Sequence, residues 1–368
     1  MSNKSIIRTD TSNYRKIFLS DAPLIDLRAP CEFEQGAFPS SINLPLMSDY
    51  ERKEVGICYK QDGQGSAIKL GHQLVQGELK RARVNAWVTF AQENLDNGYF
   101  YCFRGGLRSR VSQQWLSEAG INLPLIKGGY KAMRTYLIAE TERIVDSSQI
   151  QIVTGLTGSA KTKLLIKQKN SIDLEGLANH RGSSFGKRLS PQPSQINFEN
   201  NLAVRLLKHE QNAKPFLLLE DEGRLIGARS LPLFLKNKME QSPLIMIEES
   251  FEFRVEQIYN DYVVSMINEF ELEYGDLGLN RYRDYLIRAT QKIKKRLGAV
   301  GLKDTMMLIE KAIMHQQKSR FLGKHKDWIV YLLEKYYDPM YKFQIMKKQN
   351  RIKFVGSTVE VKEYLGAL

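Results

Sequence analysis

Apolar positions along the first part of this chain come in short blocks closed by turn residues. Leu24–Asp26, Ile42–Leu44 and Tyr99–Tyr101 each predict a short strand. A polar lead-in, residues 1–20, precedes them. Between the second and third blocks lies a Gly/Gln-rich turn at Asp62–Gly65. A helix is predicted from about Ser66, and the run from Arg81 to Glu93, with Val84, Trp87, Val88 and Ala91 three and four apart, predicts helix as well. Around Arg143–Gln149 the pattern resets. Ile150–Gln168 reads as an apolar strand, a glycine-containing loop and an amphipathic helix. Ile172–Leu174, the run of Pro215–Gly227 that ends at Glu220 and Asp221, and Pro243–Ser250 add further strand signals. From about 252 to 346 the period is helical, broken at Gly298–Gly301 and Gly323; a last strand over Arg351–Gly356 and a closing helix follow. Strands alternating with helices predict an α/β fold on a parallel sheet. The expected division is 1–142 and 143–368, the second domain carrying a helical subdomain at about 252–346.

A chain of 368 residues has ample length for two such domains. No window holds 18 consecutive apolar residues, and the opening MSNKSIIRTD has no apolar stretch of the secretory kind, so a cytoplasmic protein is expected. The three cysteines, Cys31, Cys58 and Cys102, have neither metal-site nor disulfide spacing. Net charge is +13 and is concentrated: Arg281–Lys353 holds 19 Lys/Arg against 6 Asp/Glu. Tyr282, Tyr285, Phe321, Trp328, Tyr331, Tyr336, Tyr337 and Tyr341 are interleaved with those cations. The block suits a polyanion with stackable bases. It equally suits a helical bundle with solvated basic faces and a buried aromatic stripe.

Two loops carry candidate chemistry. In YCFRGGLRSR, Tyr101–Arg110, a strand delivers Cys102 into a loop with Gly105 and Gly106, flanked by Arg104 and Arg108. Glycines allow backbone amides to form an anion-binding concavity, and positive charge favours a thiolate, the reactive form of cysteine. Cys31 and Cys58 have no such surroundings and read as structural. The second loop is Gly155-Leu-Thr157-Gly158-Ser159-Ala160-Lys161-Thr162, directly after the Ile150 strand. It follows the phosphate-binding pattern G-x-x-x-x-G-K-[ST], except that Ala160 stands at the second glycine. Backbone amides would cradle a diphosphate, Lys161 would offer charge, and Thr162 could hold a metal ion such as Mg²⁺. Asp173, His180 and Arg181 in a following polar loop, and Glu220, Asp221 and Arg224 at the end of the Pro215 strand, are secondary candidates for substrate, water or metal.

The Cys102 loop resembles the active-site loop of rhodanese-type sulfurtransferases. LIDLRAPCEFEQGAFPSSINLP, Leu24–Pro45, resembles the opening of that domain, and KGGY, Lys127–Tyr130, the segment after its loop. Together with GLTGSAKT, DLEGLANHRGSSFG, IEESFEFR, KKRLGAVGL and YYDPMY, the chain as a whole resembles the tRNA 2-selenouridine synthases. The resemblance implies a rhodanese-like domain followed by a P-loop domain. It implies conversion of wobble 2-thiouridine in tRNA to 2-selenouridine, with selenophosphate as selenium donor. It also implies an S-geranyl-2-thiouridine intermediate made from geranyl diphosphate. Cys102 matches the family cysteine proposed to carry selenium as a perselenide; Ala160 departs from the family's usual glycine. tRNA, through its anticodon arm, is the implied partner, with a selenophosphate-synthesising enzyme as a second. Two other classes fit parts of the sequence. A general rhodanese sulfurtransferase would deliver persulfide sulfur to a partner protein and need neither the second loop nor the basic block. A P-loop ATPase or kinase would turn over ATP without Cys102.

Overall fold

The computed structural model describes residues 8–212 and 215–368; the first seven residues of the polar lead-in lie outside the described residues. The chain forms two compact units. One runs up to Ile144 and includes Pro193–Asn212; the other comprises Val145–Gln192 and the rest of the chain after residue 212. The expected boundary near residue 142 therefore misses one segment, which passes back into the first unit.

In the first unit, strands β1 (Leu24–Asp26), β2 (Ser41–Asn43) and β3 (Tyr99–Tyr101) form a parallel sheet in the order β2-β1-β3. All three residues of β1 are buried, as expected for the central strand of a parallel sheet. The lead-in is not uniformly polar in structure: it holds the helix Tyr14–Leu19, whose Ile17 and Phe18 are buried. The turn expected at Asp62–Gly65 forms as a break at Gly63, φ 81° and ψ −179°, between two helical stretches of Asp49–Leu74. The returning segment is the helix Gln195–Gln211. It is held by Ala37, whose N–H donates to Asn197 Oδ1 (2.6 Å) and whose carbonyl accepts from Asn200 Nδ2 (2.7 Å). Ile196 sits where a Cβ on Gly36 would lie, 2.3 Å from its Cγ2, so Gly36 admits the helix by having no side chain.

In the second unit, β4 (Ile150–Gly155), β5 (Leu217–Glu220), a ribbon of β6 (Leu225–Ile226) and β7 (Arg229–Ser230), β8 (Leu244–Ile247) and β9 (Ile352–Gly356) are the strands. Four of them form a parallel sheet in the order β5-β4-β8-β9. The expected strand at Ile172–Leu174 does not form. Asp173 instead caps the short helix Leu174–Ala178 by accepting from the Gly176 N–H (2.8 Å), and the preceding residues reach the sheet through an isolated bridge, Ser171 to Leu218. Helices from Phe251 to Met346 stand between β8 and β9, as the pattern predicts. Their core contains Tyr282, Trp328 and Tyr337. Much of the aromatic stripe is therefore packing, not an exposed stacking surface. Two rare π-helical turns, Asn260–Val264 and Leu333–Tyr337, interrupt these helices. Among the described residues, no helix is long and apolar enough to cross a membrane.

Candidate active site

In the second unit, β4 ends at Gly155 and the chain turns through residues 156–160 into the helix Lys161–Leu165. This helix is shorter than the sequence predicts. Gly158 takes φ 84°, and a Cβ there would meet the Arg254 carbonyl at 2.7 Å. Ala160 adopts the left-handed conformation, φ 58° and ψ 26°, so the alanine accepts the geometry that a glycine takes without strain. Ser159 Oγ donates to the Leu156 carbonyl (2.9 Å) and stiffens the turn.

Lys161 Nζ folds back onto the loop, donating to the Gly155 and Leu156 carbonyls at 3.2 Å each, and lies 3.8 Å from Glu220 Oε1. Thr162 Oγ1 donates to Glu220 Oε2 (2.7 Å) and reaches Glu175 Oε2 at 3.3 Å. Glu175, Glu220 and Glu222 gather with ligand-type oxygens all within 4.8 Å of one another. Burial, then the charge of Glu220, pushes Glu175 up to about 7. Burial raises Glu220 too, against the pull of Lys161 and Thr162, and raises Glu222 well above the ordinary carboxylate range. Asp221, next to them, accepts from Thr154 Oγ1 (2.9 Å) and from Lys348 Nζ (2.8 Å to both oxygens).

These groups line a cavity of about 770 Å³. The loop and the three glutamates form one part of its wall. Arg181, Arg188, Arg296, Lys347 and Arg351 form a basic part, and Tyr262, Tyr336 and Tyr341 an aromatic one. Arg181 lies over the Tyr262 ring, 5.2 Å from its centroid, and Tyr262 OH is 3.2 Å from Ser183 Oγ. The expected site residues Thr157, Lys161, Thr162, Asp173, Arg181, Glu220 and Asp221 are thus brought together. His180 is not on the cavity wall: it is buried, its Nδ1 has no hydrogen-bond partner among the described residues, and burial, with the charges of Lys292 and Arg188, lowers its pKa. Arg224 is exposed and also outside the wall. Sequence reasoning missed Glu222, two residues beyond Glu220, and Arg254. The Arg254 guanidinium holds Asp338 through two 2.7 Å contacts and donates to the Thr157 carbonyl (3.2 Å), bracing the loop from behind. IEESFEFR and YYDPMY contain the two partners, and that is the signal that could have found them.

The first unit holds Cys102. A buried Asp26–Arg28 ion pair (2.6 Å) ends β1, and the Arg28 guanidinium lies 3.7 Å from the centre of the Tyr130 ring. Tyr130 N–H donates to the Cys102 carbonyl (2.9 Å), which ties the KGGY turn to the thiol loop. Gly129, at φ 57°, passes so close that a Cβ would lie 2.3 Å from that same carbonyl. Arg104 and Arg108, expected on either side of the loop glycines, have separate surroundings. Cys102 is 3% exposed and belongs to an apolar cluster with Leu46, Val75 and Trp115. Arg108 is committed to Glu32 at 2.8 Å. Burial pushes Glu32 up, but Arg108 and Arg52 outweigh it and hold the carboxyl below its usual range. Arg104 is exposed and lines a shallow depression with Lys131 and Gly128.

Residues 148–368 match the family described as the tRNA 2-selenouridine synthase AAA domain. A tRNA 2-selenouridine synthase of Pseudomonas putida (strain W619) is 50% identical over 363 residues, 98% of this chain and 99% of the relative. One from Shewanella halifaxensis (strain HAW-EB4) is 48% identical over 362 residues, 98% of this chain and 99% of its own length.

Proposed function

From the premise that the chain belongs to the tRNA 2-selenouridine synthase family and is an enzyme, we propose that it converts wobble 2-thiouridine in tRNA to 2-selenouridine. Selenophosphate is the selenium donor, and S-geranyl-2-thiouridine, formed from geranyl diphosphate, is the intermediate. One observation carries the reading: within the segment that matches the family, Lys161 and Thr162 meet buried carboxylates and a basic wall around a single cavity. We read the first unit as the rhodanese-like domain and the second as the P-loop domain.

In the first step the thiocarbonyl sulfur attacks C1 of the geranyl group. The S–C bond forms, the C–O bond to diphosphate breaks, and the departing diphosphate takes the electron pair. Lys161 leaves its resting contacts with Gly155 and Leu156 to meet that charge, and the amides of residues 157–162 surround it. Alkylation makes C2 more electrophilic. In the second step the selenium of selenophosphate attacks C2: the C2–Se bond forms, the C2–S bond breaks and geranyl thiolate leaves, and water then attacks phosphorus, so that the P–Se bond breaks and phosphate departs. Cys102 stands in the loop at which this selenium is delivered, and Arg104 with Lys131 attracts the selenophosphate anion to the surface beside it. Exposed cations of the Arg281–Lys353 block hold the anticodon arm.

Three glutamates forced together by burial, each raised in pKa, fit a divalent cation better than they fit each other. Thr162, Glu220, Glu175 and Glu222 would hold Mg²⁺, which would supply Lewis-acid stabilisation of the leaving diphosphate. The enzyme works in the cytoplasm, where its tRNA is, and a selenophosphate-synthesising enzyme is its natural supplier.

Mass spectrometry of tRNA nucleosides from cells lacking this gene, grown with selenite, tests the reading. Loss of 2-selenouridine is expected; its retention removes the proposed function. In the purified enzyme, Cys102→Ala abolishes selenation and leaves geranylation largely intact, whereas Lys161→Ala damages geranylation first.

A further inference from the structure

A second cavity lies in the first unit, apart from the one around Lys161. It has a volume of about 260 Å³. Val55, Ile68, Val75, Val111 and Trp115 supply its wall, from the helices Asp49–Leu74 and Leu107–Glu118 and the residue after the first of these. Polar groups contribute at its margin through the exposed residues Tyr59, Gln64 and His72, together with Arg108. The helix Leu107–Glu118 starts directly after the Cys102 loop, and Cys102 shares one apolar cluster with Val75, Val111 and Trp115. The cavity and the thiol therefore belong to the same apolar body.

A wall of this kind cannot seat a diphosphate, a nucleotide or a selenophosphate, because each would lose its hydration without a partner. It can seat a hydrocarbon. A packed carbon takes somewhat less room than the roughly 30 Å³ of a water molecule in the liquid, so the volume suits a chain of about eight to ten carbons. A chain attached to a larger polar body would enter with that body left at the margin formed by Tyr59, Gln64, His72 and Arg108.

We propose that this cavity holds the alkyl chain of the S-alkylated wobble base while selenium is delivered beside Cys102. The proposal rests on the reading of function above and adds the place where the intermediate is recognised. Burying each methylene is worth roughly fourfold in binding, so chain length becomes the specificity determinant of the second step. The apolar setting of Cys102, unexpected for an activated thiol alone, is what a site for an alkylated base requires.

The test uses the full-length enzyme, selenophosphate, and anticodon stem-loop RNAs carrying either S-geranyl- or S-methyl-2-thiouridine. At subsaturating RNA, the geranyl substrate should be converted at least about 100 times faster than the methyl one. Val111→Phe and Ile68→Phe, which fill the cavity, should reduce that ratio at least about tenfold while sparing the methyl rate. An unchanged ratio in both variants overturns the proposal. Should the variants fail to fold, a diazirine-bearing geranyl RNA is cross-linked to the unaltered enzyme. Labelling within residues 46–75 or 107–115 supports the proposal, and labelling that spares both segments overturns it. Conversion of neither RNA would instead remove the reading of function, and the cross-link would still decide the cavity.

Discussion

Arg254 and Asp338, 84 positions apart in the chain, form a two-pronged ion pair with both N···O distances at 2.7 Å, and both residues are buried. The same guanidinium reaches the Thr157 carbonyl. Removing one partner strands the other charge in the interior. Arg254→Met should therefore destabilise the protein by about 3–5 kcal/mol, and the double change with Asp338→Leu should recover most of that. Denaturant unfolding of the two single variants and the double variant measures the coupling. Equal, additive losses would show that the pair is not coupled.

Ala160 occupies a left-handed backbone conformation that an L-residue adopts at a cost of roughly 1–2 kcal/mol. Glycine removes that strain but adds freedom to the unfolded chain, worth about 0.4–1 kcal/mol. Ala160→Gly should thus raise stability by up to about 1.6 kcal/mol and tighten diphosphate binding. Ala160→Val should lower both. Thermal unfolding with and without inorganic pyrophosphate reads the two effects together.

The Glu175 carboxyl moves from an ordinary 4.5 to about 7 in the folded protein, through burial first and the neighbouring Glu220 charge second. Between those values the native state binds a proton that the unfolded chain has released. This group's contribution to stability therefore falls as pH rises from about 4.5 to 7. Glu175→Gln should flatten the decline in melting temperature over that window and raise the melting temperature at pH 8. Added Mg²⁺ should stabilise the unaltered enzyme at pH 8 and do less for the variant. An unaltered pH profile in Glu175→Gln would show that the carboxyl is not raised.

Arg104 and Arg108 should separate cleanly. Arg108 is held by Glu32, so Arg108→Ala is expected to lower thermal stability as well as activity. Arg104 is exposed beside Lys131. Arg104→Ala should leave the melting temperature within a degree or so of the unaltered protein and raise the KM for selenophosphate several-fold. Steady-state kinetics alongside calorimetry distinguishes the two.

Exposed cations of the helical block should set the salt dependence of tRNA binding. Replacing Arg288, Lys292, Lys294 and Lys295 with alanine should reduce the slope of log K against log salt by about 2–4. Filter binding over a salt series provides the slope.

The sequence made the phosphate loop legible because a strand, two glycines and a Lys-Thr pair fall within a dozen residues, and local spacing is what a sequence displays. It placed β3 and β8 for the same reason. The ends of Arg254–Asp338 are far apart in the chain, and neither residue looks different from a surface charge until packing buries it. Tyr282, Trp328 and Tyr337 fitted a stacking surface and a bundle core alike, since both place aromatics between cations; packing of the surrounding helices put them in the core. The strand expected at Ile172 lost to a cap on Asp173, one hydrogen bond that periodicity does not register. The two arginines around Cys102 carried the right charge, but Glu32 lies 76 residues from Arg108 in sequence and had claimed it.

The helix Gln195–Gln211 leaves one unit and joins the other, seated on Gly36 and Ala37. The polypeptide thus passes between the two bodies three times. A gene cut at a single point would yield a front half missing a piece of its own interior and a back half trailing an apolar strap.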